Sequence, residues 1–455
     1  MKKNILSISI LCCTAAMLVS CNYEEDDLFS ASAAERLMQS QKTYTERLTG
    51  TTWVMEYYPT NRNTAPTGVG YLLMTAFGND QTVRIGMDNA VTNDLYTEDT
   101  SLWEVISDQG PVLSFNTYNR CLHFFSDPGA PDVTNANGSG TNADYDRGNG
   151  YEGNYEFEIL SLEENATQSM LKGKKIGKSE ESNTYVRMQR LEDGIDFAAY
   201  LKDVKAFNDS IFSSRVPTSN FLTLGGKEYV MTGANTGIIS LYPKGGDAIT
   251  ETTDHVFLVT KAGNETRLRF REAVERDDNE STVQEFRFDY EADEFREIDG
   301  DAVIHGMQPA EALATNTATF TRTSVMSESF KSAVDAAYTE MRAKKFTFNS
   351  VLLNTVNEDS VSVTVRYRNA RNATVNYVFY YSRQQQGDNV NLTYLGPKDS
   401  SAEAFLNTFA SVETLLGLIG REYTVTANTT RFNLTNTKLI STSDPDLWFV
   451  VTLSN

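Results

Sequence analysis

The stretch Val361-Ser362-Val363-Thr364-Val365-Arg366-Tyr367, followed after Asn369-Ala370-Arg371-Asn372 by Val375-Asn376-Tyr377-Val378-Phe379-Tyr380-Tyr381, decides the reading of the fold. Apolar residues stand at every second position, which turns one face of an extended chain toward a core and leaves the other polar. The connector is too short to cross over a sheet, so the two strands lie antiparallel. Val390, Leu392 and Tyr394 carry the pattern one strand further.

The same period recurs upstream. A first block opens at Gly50-Thr51-Thr52-Trp53 and continues through residues 71–77, 83–87, 103–106, 112–118, 151–160, 170–174 and 185–191, about the strand number that closes a small barrel. A glycine shortly before a tryptophan on the opening strand resembles the lipocalin-like pattern, with one residue more between them. A second block runs over about 222–304, with strands at 256–260, 266–270 and 283–290. A parallel, doubly wound sheet is excluded, because it needs a crossover helix after nearly every strand.

Four segments change period to that of a helix. Residues 32–48 begin with Ser32 and Glu35 placed as a capping box and carry Leu37, Tyr44 and Leu48 on one face. Residues 196–212 align Phe197, Leu201, Val204, Phe207 and Ile211, and residues 328–344 align Phe330, Val334, Ala337 and Met341. A fourth helix starts at Ser400, with Glu403 as its capping partner, and runs to Leu418. These stripes pack on the neighbouring sheets. Residues 127–149, full of Asp, Asn, Gly and Pro, and residues 308–323, rich in Ala and Thr, read as a loop and a spacer.

The expected class is mainly β (α+β): antiparallel, with tandem small barrels or sandwiches each preceded by a helix, then a C-terminal sheet with packed helices. The expected divisions are 1–21, a leader ending in a lipidated cysteine; 22–49, an acidic tether and helix; 50–191, the first β domain; 192–325, a helix and second β domain; and 326–455, a C-terminal α+β domain.

The leader reading rests on Lys2 and Lys3, the apolar run Ile5 to Val19, and Ser20 before Cys21. The run is shorter than the roughly 20 residues that cross a hydrocarbon core. Leu18-Val19-Ser20-Cys21 resembles the bacterial lipobox, in which the cysteine thiol takes a diacylglycerol and the new amino terminus an acyl chain such as palmitate. Glu24-Glu25-Asp26-Asp27 resembles the acidic signal that sends such lipoproteins to the outer surface. The expected location is the outer membrane, lipid-anchored and facing the exterior.

The net charge of −21 deepens when Lys2 and Lys3 leave with the leader. Such a surface repels phosphate backbones, so nucleic acid is not an expected partner. Cys12 and Cys13 leave too and Cys21 is acylated, so Cys121 stands alone and no intramolecular disulfide forms. It lies in the apolar, strand-like Arg120-Cys121-Leu122-His123-Phe124-Phe125, where a buried inert thiol is expected.

Catalytic signatures are missing: there is no His-Glu-x-x-His, nucleophile elbow, phosphate loop or dinucleotide fingerprint. The reading is therefore of a non-enzyme without a cofactor. His123, His255 and His305 read as structural or surface residues. The local metal candidate is a calcium loop using Asn142, Asp144 and Asp146, which supplies three side-chain oxygens where calcium takes six or more ligands. Arg147 replaces the turn glycine of an EF-hand and Gly153 the bidentate acid, so the bland reading is an Asx-rich connector. Among the 22 tyrosines, Tyr57-Tyr58 put one ring on each strand face, and exposed rings of this kind stack on sugars.

The lipobox, the Trp53 strand, Phe124-Phe125-Ser126-Asp127-Pro128, Gly153-Asn154-Tyr155-Glu156-Phe157, Leu171-Lys172-Gly173-Lys174-Lys175 and the terminal Asp444-Pro445-Asp446-Leu447-Trp448-Phe449 together resemble the lipoprotein family called domain of unknown function 4302. The resemblance implies a Bacteroidetes lipoprotein, encoded beside outer-membrane transporters of the starch-utilisation type, and supplies no catalytic residues. The expected function is a surface accessory that binds a glycan or peptide nutrient or assists such a transporter complex. The alternatives are a docking module without a small ligand, a carboxylate-based hydrolase, and a lipocalin-like barrel holding an apolar ligand.

Overall fold

The computed structural model describes residues 31–59, 69–127, 151, 153–175, 183–212, 219–234, 237–275 and 281–454. Three antiparallel sheets follow one another along the chain, each a meander whose last strand returns to its first.

The first sheet comprises β1 (Thr52–Tyr57), β2 (Tyr71–Phe77), β3 (Thr82–Met87), β4 (Thr97–Leu102), β5 (Glu104–Ser107), β6 (Pro111–Ser114), β7 (Glu156–Ser161), β8 (Gln168–Gly173) and β9 (Tyr185–Leu191). Its order is β4-β3-β2-β1-β9-β8-β7-β6-β5. The two edges are consecutive in the chain, with only Trp103 between them, so the sheet curls until they meet. Trp103 is buried against Phe77, ring centroids 4.8 Å apart. Helix α1 (Ala33–Leu48) precedes the sheet with the expected Ser32–Glu35 capping box.

The second sheet is a closed barrel of β10 (Asn220–Leu224), β11 (Lys227–Thr232), β12 (Ile238–Pro243), β13 (Thr253–Ala262), β14 (Glu265–Glu275), β15 (Thr282–Asp289), β16 (Glu294–Glu297) and β17 (Val303–Gly306). Before it comes α2 (Phe197–Ile211), capped by Asp196. Phe197 of α2 lies under Arg84 of β3 at 4.1 Å. On the other side the Tyr200 hydroxyl donates to the Lys261 carbonyl at 3.0 Å and accepts from its amide at 2.9 Å. The helix thus packs on both units.

The third sheet is β18 (Thr317–Thr321), β19 (Thr347–Asn357), β20 (Ser360–Arg368), β21 (Thr374–Gln386), β22 (Asn389–Pro397), β23 (Glu422–Ala427), β24 (Asn436–Ser441) and β25 (Trp448–Ser454). The alternating stretches Val361 to Tyr367 and Val375 to Tyr381 are β20 and β21, paired antiparallel from Ser360↔Ser382 to Arg368↔Thr374. The C-terminal sheet is closed, since β25 returns to β18. Its core merges with α4 (Glu328–Ala343), α5 (Ser400–Thr408) and α6 (Ala410–Ile419) in one apolar cluster.

Several local expectations give way. Residues 308–323 are not a spacer: they form α3 (Pro309–Thr315), with Pro309 at its first position, and then β18, whose Ala318 and Phe320 are buried. The first strand of the third barrel therefore lies ahead of the division expected at 326. The fourth helix is two helices bent by 110° at Phe409, whose backbone leaves the helical region and whose ring is buried. Its cap is Asp399, which accepts from Ser401 and Ala402, rather than Ser400. Residues 120–126 form a turn and a short 3-10 helix instead of a strand. The Asn119 side chain accepts from the Cys121 and Leu122 amides at 3.0 and 3.4 Å and competes there with a ladder.

Strand β1 is buried on both faces. Trp53, Met55 and Tyr57 belong to the core of the first sheet, while Val54 joins the apolar cluster of the second barrel. Glu56 follows Val54 on that outer face and is wholly buried. It pairs with Arg187 of β9 at 3.4 Å and with Arg269 of β14 at 2.9 Å, while Arg187 also reaches Glu285 of β15 at 2.9 Å. The first two units are therefore joined by an apolar patch beside a buried ion network.

The second and third barrels meet at the loop between β23 and β24. Phe432 packs among Phe288, Phe295 and Phe212, and Thr430 donates to Asp293 at 2.8 Å. This loop presses on Gly306, where an added Cβ would overlap the Arg431 carbonyl group. Gly306→Ala is expected to cost about 1–3 kcal/mol by overpacking. Chemical denaturation checks it, and an unchanged midpoint would mean that the loop is not seated as described.

Candidate functional site

Closing the second barrel brings strands distant in sequence to one mouth. Leu222 and Leu224 of β10, Leu241 of β12 and Val274 of β14 floor a cavity of about 460 Å³. That volume lies within the usual range for small-molecule sites, and barrel mouths are a common place for them. Tyr229, Pro243, Thr253, His255, Glu251, Ala273 and Glu275 complete the lining. Among the described residues neither lysine nor arginine lines it, and the formal charges on the described wall are the two carboxylates of Glu251 and Glu275.

The mouth owes its shape to an irregularity. The register of β14 against β15 shifts between Arg269 and Val274. The Gln284 amide donates to the Phe270 and Arg271 carbonyls at 3.2 and 2.9 Å, satisfying acceptors that the broken ladder leaves. Bulges of this kind re-aim side chains at barrel rims.

His255 alternates with inward-facing Phe257 and Val259 on β13, which places its ring at the end of the interior. The ring meets Phe270 edge-on at 5.8 Å, and Nε2 lies 3.0 Å from the Thr253 hydroxyl. Burial pushes its pKa below the ordinary histidine value, so the imidazole is neutral at pH 7. A hydroxyl beside a neutral imidazole has the first half of a nucleophile–base pair, but the adjacent Asp254 accepts instead from Ser240 at 2.6 Å. The arrangement suits recognition of a polar group better than catalysis.

The remaining sequence candidates fall elsewhere. His123 stacks on Tyr155 at 4.9 Å and its Nδ1 accepts from the Asn119 amide at 3.1 Å; His305 stacks on Phe221 and lies 3.2 Å from the Thr223 hydroxyl. The three histidines do not converge. Cys121 is a buried free thiol whose pKa burial pushes up to about 12. Tyr57 and Tyr58 do face opposite sides of β1, but both are buried, so neither offers a sugar platform. The interior of the first sheet is occupied by Trp53, Tyr57, Tyr71, Phe115, Phe125 and Phe157, which leaves the lipocalin-like reading without support there. Cys21 and the calcium candidates Asn142, Asp144 and Asp146 lie outside the described residues. Among the described residues no group of three or more His, Cys, Asp or Glu is placed to hold a metal, and no single helix is long and apolar enough to cross a membrane.

The family model described as "Domain of unknown function (DUF4302)" matches residues 25–290, more than half of the chain. The chain belongs to the DUF4302 family. The match spans the first sheet and all but the last strands of the second barrel, so the mouth cavity lies within the DUF4302 region. The terminal Trp448-Phe449 segment lies beyond it. The family description names no catalytic activity.

No curated protein matches the chain. Solved structures similar to it include the DNA polymerase III beta chain of Streptococcus pneumoniae, at 12% identity over 92% of this chain and 98% of that one, with a TM-score of 0.13. The beta-subunit sliding clamp of Bartonella birtlesii matches at 9% identity over 92% and 97%, TM-score 0.12. That of Pseudomonas aeruginosa matches at 9% over 93% and 98%, TM-score 0.12. Scores this low carry no argument about fold or function.

Proposed function

We propose that this DUF4302 protein is a lipid-anchored surface accessory without enzymatic activity, and that it captures a short peptide or peptide-like amine in the mouth of its second barrel. The observation that carries the reading is the cavity of about 460 Å³ with an apolar floor and a rim bearing Glu251, Glu275 and neutral His255. An apolar side chain fills the floor, a cationic amine meets the two carboxylates, and His255 and Thr253 offer hydrogen bonds. A neutral glycan fits less well, because among the described lining residues Tyr229 is the one aromatic ring besides the His255 imidazole. The leader, Cys21 as the anchor and the acidic residues after it support display at the outer surface. Hand-over to a transporter of the starch-utilisation type rests on the family resemblance alone.

The test is calorimetric titration of the full chain with leucyl-leucinamide and its N-acetylated, uncharged form. The amine form is expected to bind, and Leu241→Trp, which fills the cavity, to weaken it about 10- to 100-fold, the worth of one buried apolar side chain. Equal binding of both forms, or no effect of Leu241→Trp, would refute the assignment.

A further inference from the structure

A second cavity, of about 270 Å³, opens where the first sheet meets the second barrel, on the other side of the β14 bulge from the mouth. It is lined by Tyr58, Met170, Asn183, Tyr185, Arg187, Arg269, Arg271 and Glu272. Three arginines on one small cavity are unexpected in a chain of net charge −21.

The three are not equivalent. Arg187 and Arg269 share the buried Glu56 carboxylate behind the wall, and Arg187 also holds Glu285. Among the described residues Arg271 has no such partner: its Nε lies 3.8 Å from Glu272, whose side chain is 63% exposed. Its side chain is nevertheless nine-tenths buried, and its buried Nη1 makes no hydrogen bond. The guanidinium lies over the Tyr58 ring at 5.6 Å. Tyr58 is 2% exposed, and its hydroxyl is likewise without a hydrogen-bond partner. A buried donor left unmade is costly, and these two belong to neighbouring residues that border one cavity.

We infer that this crevice is a binding site for the carboxylate of a small organic acid, held by the Arg271 guanidinium and the Tyr58 hydroxyl. The unsatisfied groups are a guanidinium N–H and a phenol, which both donate, so the complementary ligand group is one that only accepts. A guanidinium fork matches a planar carboxylate, and the exposed Tyr185 ring with Met170 provides an apolar wall for the rest of the molecule. The size of the cavity restricts the ligand to a small one. The large negative charge of the chain disfavours multiply charged anions over a monocarboxylate. Burial holds the Tyr58 phenol well above the ordinary tyrosine range, so it remains a neutral donor at any working pH. Neither Arg271 nor Tyr58 is in the barrel mouth, so this site stands or falls independently of the amine site.

The test is calorimetric titration of the full chain with benzoate, benzamide and inorganic phosphate. Benzoate is expected to bind saturably; benzamide, a neutral acceptor, and phosphate, whose larger charge the acidic chain repels and which has no apolar body, are expected to bind at least about tenfold more weakly. Arg271→Gln should weaken benzoate about 10- to 100-fold. Tyr58→Phe, which keeps the ring under Arg271 and removes one oxygen, should weaken it about tenfold and guards against misfolding of the first variant. Leu241→Trp should leave benzoate binding unchanged. The inference is overturned if benzoate does not saturate, if benzamide or phosphate binds as tightly, if Tyr58→Phe and Arg271→Gln both bind like the wild type, or if Leu241→Trp abolishes binding.

Discussion

Glu56→Ala is expected to destabilise the protein by about 3–5 kcal/mol, the usual cost of removing one partner from a buried ion network. Glu56 is completely buried between β1 and the second barrel, and among the described residues it is the one carboxylate paired with Arg269. Its loss leaves the Arg269 guanidinium, itself mostly buried, without a charged partner, while Arg187 keeps Glu285. Burial holds the Glu56 carboxyl above the ordinary carboxylate range against the opposing pull of Arg269 and Arg187, so removing either arginine leaves its charged form still less favoured. Chemical denaturation followed by the fluorescence of Trp53 and Trp103, both in the first unit, reads this interface. Replacing Glu56 and Arg269 together by leucine should recover much of the loss, since no lone charge then remains. A single-variant cost below about 1 kcal/mol would place the pair in solvent rather than at a closed interface.

Phe330→Ala should cost a similar amount, about 3–5 kcal/mol, in the third barrel. Phe330 is fully buried on α4, stacked on Phe449 of β25 with centroids 4.2 Å apart and planes 13° from parallel, and it meets Phe320 of β18 edge-on at 5.5 Å. It therefore touches the two strands whose pairing closes the barrel. Trp448 lies beside this contact, so its fluorescence should report the loss. A cost near that of an exposed substitution would mean that α4 is not packed on the closing strands.

The elements legible in the sequence are those whose signal is local. The alternation at Val361 to Tyr367 needs no distant partner to be recognised, and the Ser32–Glu35 box is complete within four residues. Strand β4 was not legible because Thr97 to Leu102 buries only Ser101, and β18 because alternating threonine with alanine and a single phenylalanine resembles a linker. The break at Phe409 is tertiary: the core takes the ring at the expense of the helix.

The candidate sites were less legible, for the same reason. Leu222, Leu241 and Val274 become neighbours only when β17 returns to β10, a closure over more than 80 residues that no local pattern announces. His255 did carry a signal, two residues before Phe257 and four before Val259 on the inward period. Glu56 carried one too, since the nearly unbroken apolar run from Trp53 to Met55 marks a strand covered on both faces, where a charge has to be paired.

The cavity in the second barrel is tested by purifying the full chain from detergent-extracted cells, beside Leu241→Trp, with mass spectrometry of small molecules released on denaturation. An amine-bearing peptide or peptide-like compound is expected to be released by the wild type and to be absent from Leu241→Trp. Identical small-molecule profiles from the two proteins would contradict it.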